Sequence, residues 1–148
     1  MQNKRYFIDI HNKTRYCANT PLECIHKIAN NTKNHNKISK VIIGIRETTR
    51  NSNKNLYFYE VVYDLSKVTV HSVTREYKQK IKNKLMTVFS NFDNNLYSTS
   101  QTVIISKKDL IDLKEYLHHK KTKYTINRYY ENGMVISHKN ITLNITSE

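Results

Sequence analysis

VIIGIRETTRNSNKNLYFYEVVYD, residues 41–64, is the stretch on which the reading of this chain turns. Val41, Ile43 and Ile45 share one face of an extended segment, because successive side chains of a strand point to opposite sides. After the polar run 46–55 the alternation resumes, with Tyr57, Tyr59, Val61 and Tyr63 set against Phe58, Glu60 and Val62. A β-hairpin with a long charged loop is expected. The loop sets Arg46, Arg50 and Lys54 among Thr48, Thr49, Asn51, Ser52, Asn53 and Asn55, cationic forks beside hydroxyls and amides that suit phosphate oxygens. A merely solvated surface loop has the same composition.

Charge gives the loop its context. The 148-residue chain holds 25 Lys and Arg against 12 Asp and Glu, a formal charge of +13. That imbalance points to a polyanionic partner, nucleic acid or an anionic membrane surface. Residues 1–88 hold 17 basic and 6 acidic residues, and residues 89–148 hold 8 and 6. The anion-binding half is therefore expected to be the first. The length suits one domain, or one domain with a small appendage.

Other classes fall away on composition. No run of about 18 apolar residues spans a membrane, and residues 1–10 lack the apolar stretch of a signal peptide, so an intracellular, reducing setting without membrane contact is expected. Cys17 and Cys24 are the only cysteines, and no Cys or His pair has zinc-ligand spacing. They read as structural thiols, with no metal and no cofactor. No Ser/His/Asp or Cys/His arrangement forms an identifiable motif, and two glycines leave no phosphate-binding glycine loop, so neither an enzyme nor a small-molecule substrate is expected.

Upstream of the central hairpin, residues 6–10 alternate and His11-Asn12-Lys13 offers a turn into a second short strand, 14–18. Thr20-Pro21-Leu22-Glu23 reads as a helix start: Thr20 caps, Pro21 needs no partner for a missing N–H, and Glu23 closes the capping box. Leu22, Ile25, Ile28 and Ala29 line one face of that helix. His26 reads as a surface histidine, and the polar run 30–40 ends the element.

The order hairpin, capped helix, charged hairpin resembles the small non-histone chromosomal proteins of methanogenic archaea and their relatives in giant DNA viruses. The resemblance rests on RYFIDI, on NTPLECIHKIAN and above all on IRETTRNSNKNLYFYE, and it covers residues 4–85. It implies a monomeric protein that bends and condenses double-stranded DNA without base specificity, working in a viral factory or virion, or else in a nucleoid or nucleus. Asn51 stands where that family carries Gly. The arm after the second hairpin, DLSKVTV, has no proline, and the chain has no Trp, so an arm tryptophan's DNA contact is absent or taken by another side chain. Leu65 and Val68 are the candidate apolar wedges.

Residues 76–85, EYKQKIKNKL, fit two periods. As a strand they put Lys78, Lys80, Lys82 and Lys84 on one face, and as a helix they make Tyr77, Ile81 and Leu85 a stripe. Periodicity does not choose, and the resemblance, in which this segment closes the small barrel, implies a strand. Residues 89–100 are polar and turn-rich and read as a linker.

A second unit, 101–148, follows. A strand at 102–105 precedes a helix capped by Ser106, with Asp109 in its first turn and Leu110, Leu113 and Leu117 as its stripe. His118, His119, Lys120 and Lys121 suit its carbonyl end. Asn132-Gly133 signals a hairpin. Apolar positions then change phase, which demands a bulge or a fresh turn near His138-Lys139-Asn140.

The expectation is an α+β chain. Residues 1–88 form a small curved antiparallel sheet or pseudo-barrel with one helix, β-β-α-β-β-β, and residues 101–148 a β-α-β-β unit. The expected DNA contacts are Arg5, Lys13, Arg15, Lys27, Arg46, Arg50, Ser52, Lys54, Lys67, Lys78, Lys80, Lys82 and Lys84. The competing class is a basic virion-structural or interaction module, in which residues 101–148 bind a protein partner or self-associate.

Overall fold

The computed structural model describes residues 4–31, 39–65, 67–93, 100–119 and 122–148, and the chain divides into two units, Met1–Tyr77 and Lys78–Glu148. It is α+β. The first unit contains β1 (Arg5–Asp9), β2 (Arg15–Ala18), α1 (Pro21–Asn31), β3 (Ser39–Glu47), β4 (Leu56–Asp64) and β5 (Lys67–Ser72). The strands form one antiparallel sheet in the order β2-β1-β3-β4-β5. It is open, with β2 and β5 as its edges, so no barrel closes, and α1 packs on the sheet.

Local chemistry fixes the joints. Asp9 is buried, and its carboxylate accepts from the backbone N–H of His11 (3.0 Å) and Asn12 (3.3 Å), which turns the chain from β1 into β2. At α1 the Glu23 N–H donates to Thr20 Oγ1 (3.1 Å) while the Glu23 carboxylate accepts from the Asn19 N–H (3.2 Å). The expected cap forms, its return bond reaching one residue further back. Cys24, Ile25, Ile28 and Ala29 face the sheet and meet Phe7, Ile43, Ile45, Tyr59, Val61 and Tyr63. Leu22, expected in that stripe, is rotated out of it and 44% exposed, and Cys24 fills the arc.

Two expectations after β4 are corrected. The arm is largely a strand, β5, which begins at Lys67 paired with Asp64 of β4. Residues 76–85 lie in a helix, α2 (Thr74–Asp93), not in a strand that closes a barrel. The deciding pattern is the four-residue recurrence of Tyr77, Ile81, Leu85 and Phe89, the last three of them buried. The expected linker accordingly does not begin at 89. Residues 94–99 lie outside the described residues, and the units divide at Tyr77 and Lys78, ahead of the boundary expected at 88.

The second unit adds β6 (Ser100–Ile105), α3 (Lys107–His119), β7 (Thr125–Tyr130), β8 (Gly133–His138) and β9 (Ile141–Ser147) to most of α2. Its sheet runs β6-β9-β8-β7, with β6 parallel to β9 and the other pairs antiparallel. Ser106 caps α3 as expected, its Oγ accepting from the Asp109 N–H (3.1 Å), while Lys120 and Lys121 lie outside the described residues. The phase change resolves as a fresh turn. It adds the strand β9 and returns Ile141, Leu143 and Ile145 to the face that already holds Met134 and Ile136.

Gly133 has an unexpected role. Glu131 and Asn132 make the β7–β8 turn, and Gly133 already belongs to β8, opposite Tyr130 and Thr146. A Cβ there would sit 2.4 Å from the Ile145 carbonyl oxygen, so the glycine permits a close strand approach rather than a left-handed turn.

Candidate nucleic-acid interface

Since α1 packs on one face of the first sheet, the other face can meet a partner. Register assigns its residues. Ile8 pairs with Arg15 on β2 and with Arg46 on β3, and Arg46 pairs with Leu56 on β4, so Arg15, Ile8, Arg46 and Leu56 form one row across four strands. Two strand spacings separate the two arginines, about 10 Å between backbones. Arg15 is exposed and Arg46 half-buried, and Tyr6, two residues from Ile8 on the same face, is 49% exposed. The middle of the face is filled: Ile10 and Phe58 crowd Gly44, and Phe58 packs against the Tyr77 ring at 4.4 Å. Beyond that plug stands Glu60, 3.4 Å from Lys40 Nζ and 3.5 Å from His71 Nε2.

The charged loop is built differently from its sequence reading. Lys54 Nζ donates to the carbonyls of Thr49 and Thr48, Ser52 Oγ donates to the Thr49 carbonyl (2.7 Å), and the Lys54 N–H donates to Ser52 Oγ (3.3 Å). Ser52 and Lys54 therefore fold the loop. Thr48 and Thr49 stitch it to β1, the Thr48 N–H donating to the Tyr6 carbonyl (2.7 Å) and the Tyr6 N–H to Thr49 Oγ1 (2.8 Å). Arg50 remains exposed at the tip.

Arg5 is engaged inside the protein. Its Nε and Nη2 donate to the two carboxylate oxygens of Glu47, both at 2.9 Å, and Nη2 also reaches Tyr57 Oη at 3.5 Å. Glu47 is buried, and the Arg5 hydrogen bonds hold its carboxyl below the usual carboxylate range, while the same pairing raises the guanidinium. Burial likewise pushes the Cys24 thiol up to about 12, so it stays protonated and inert.

The other expected contacts are scattered. Lys13 is exposed on the β1–β2 turn, and Lys67 is exposed at the start of β5. Lys27 Nζ donates to the Cys17 carbonyl (2.6 Å) and lies 3.8 Å from Glu23. The alternate lysines of α2 do not form the single ridge of a strand: Lys78 and Lys82 lie one turn apart on one flank, Lys80 and Lys84 on the other, and the last three are exposed. Leu65 is 71% exposed at φ 53°. Val68 is half-buried and packs against the core.

With the units divided at Tyr77, the charge asymmetry disappears: Met1–Tyr77 holds 13 basic and 6 acidic residues, and Lys78–Glu148 holds 12 and 6. The α2 lysines had been counted with the first half. Tyr6 was missed as a surface group, because only the long-range pairing of Ile8 with Arg46 reveals which phase of β1 faces outward. Among the described residues no three His, Cys, Asp or Glu side chains cluster as a metal site, and no helix is long and apolar enough to cross a membrane. No family model, curated protein or solved structure matches the chain.

Proposed function

We propose that this chain is a non-catalytic architectural protein that holds double-stranded DNA through its phosphates, largely without base readout, and bends and compacts it. The observation that carries the reading is the Arg15–Ile8–Arg46 row, at the β2–β1 end of the sheet face opposite α1, beside the Phe58–Tyr77 packing that fills the face's centre, in a chain of charge +13. Guanidinium forks on a rigid sheet offer bidentate donors to successive phosphate oxygens. Tyr6 and Ile8 between them supply apolar contact with sugars, and Arg50, Lys13 and Lys67 extend the positive field along the loop tips. Such contacts fix position on a duplex and carry no sequence information.

The test uses the intact chain and fluorescence anisotropy on labelled duplex. Arg15→Gln with Arg46→Gln removes two phosphate contacts, so the slope of log K against log salt should shrink by about 1.8. Circular dichroism must show the variant folded. An unchanged slope removes this face from the interface.

Leu65 gives the bend its candidate wedge, since an apolar side chain inserted between base steps unstacks them and kinks the duplex. Leu65→Asn suits the positive φ and preserves the turn. End-to-end energy transfer across bound DNA should report a smaller bend at similar affinity. A full bend with this variant sinks the wedge.

A further inference from the structure

The second unit has an uncovered sheet face of its own. Met134, Ile136, Ile141, Leu143 and Ile145 are buried on the inner side, where His138 meets Phe89 of α2 (5.7 Å between ring centroids) and Lys114 of α3 lies over the Tyr129 ring (5.9 Å). Both helices of the unit therefore lie on that side. On the outer side the register aligns Thr102, Asn144, Val135 and Arg128 in one row across β6, β9, β8 and β7, about 14 Å wide, with Ile104 and Tyr130 at the ends of the neighbouring row.

We infer that this outer face is a second nucleic-acid site, specific for a single strand. Two observations carry it. Tyr130 is 42% exposed, and the Arg128 guanidinium lies 5.5 Å from its ring centroid with Nη1 3.3 Å from its hydroxyl, a planar cation and an aromatic ring held together at the sheet edge. The row of Arg128 contains no carboxylate, only hydroxyl, amide and apolar neighbours.

The chemistry selects the ligand. A duplex hides its base faces and needs many cations, and this row offers one. An unpaired strand presents π faces to Tyr130 and Arg128, and base edges to the exposed Thr102 hydroxyl. A second copy of the chain would bring another strongly positive unit onto the face. Glu131 and Glu148 lie beyond Tyr130, so the strand's phosphates run the other way, toward exposed Lys139 in the β8–β9 turn.

The experiment uses the intact chain, labelled oligothymidylate of about twelve nucleotides and labelled duplex. Tyr130→Ala should weaken single-strand binding about 10- to 100-fold and leave duplex binding within about twofold, with Tyr130→Phe close to the parent. Arg128→Lys should also weaken the single strand, because an ammonium keeps the charge and loses the stacking plane. Equal losses on both nucleic acids, or none, overturn the inference. So does a parent chain that sediments as a dimer and a Tyr130→Ala variant that does not, which would make the face a self-association surface. Because the duplex reading rests on Arg15 and Arg46, either assignment can fail without the other.

Discussion

Affinity of the intact chain for duplex DNA should fall about 10³- to 10⁵-fold between 50 and 200 mM monovalent salt, with little dependence on sequence. Each lysine or arginine that neutralises a phosphate releases condensed counterions, and the loss steepens with their number. On the proposed reading, some cations are better placed than others. Arg5 is bound to Glu47, Lys54 to its own loop and Lys27 to the Cys17 carbonyl. Lys13, Arg15, Arg50, Lys67, Lys80, Lys82 and Lys84 are exposed, which suits a range of about six to ten contacts. Anisotropy titrations at several salt concentrations give the slope directly. A flat response would exclude phosphate contact as the source of affinity and leave the interaction-module reading.

Arg5→Ala should cost about 3 to 5 kcal/mol of stability at neutral pH, because it strands a buried carboxylate rather than removing a surface charge. In the parent, the folded Glu47 pKa lies below its unfolded value. Its contribution is therefore complete above the unfolded pKa, about 4.3, and is lost as pH falls through the lower folded value. In the variant the Arg5 hydrogen bonds, the largest cause of that lowering, are gone, and only the Thr49 hydrogen bond and the Lys54 charge oppose burial, so less stability depends on ionisation of Glu47. The gap between the two proteins in urea unfolding should narrow from pH 7 to pH 3. A gap independent of pH would show that the pair contributes packing and not charge. DNA affinity of the folded variant should change little, which separates Arg5 from Arg15 and Arg46.

How much of this was legible in the sequence depended on range. The β3–β4 hairpin, the Thr20 cap and the Ser106 cap were readable because each is written within a few consecutive residues. The second hairpin was found through Asn132-Gly133, although the glycine serves strand approach and not the turn. For α2 periodicity left both readings open, lysines at alternate positions fitting a strand and the stripe at every fourth residue a helix, and the strand came only from the resemblance. The engagement of Arg5 was hidden for a related reason. Nothing near it in sequence announces Glu47, 42 residues away, as the carboxylate that takes both its donors. The Arg15–Ile8–Arg46 row is likewise a product of strand pairing, and no window along the chain contains it.

The turns of this protein have a different bearing. Among the described residues Lys13, Asn51, Lys54, Leu65 and Lys139 hold positive φ, while both glycines of the chain sit within strands. For a side chain with a Cβ the left-handed region costs roughly 1 to 2 kcal/mol, and glycine or asparagine would relieve much of it. At Lys13 and Lys139 that relief would also delete a cation from the tip of a hairpin. Conformational ease and positive charge are thus opposed at the same positions. A variant selected for heat resistance alone would reach first for these turns, and would shed charge as it gained stability.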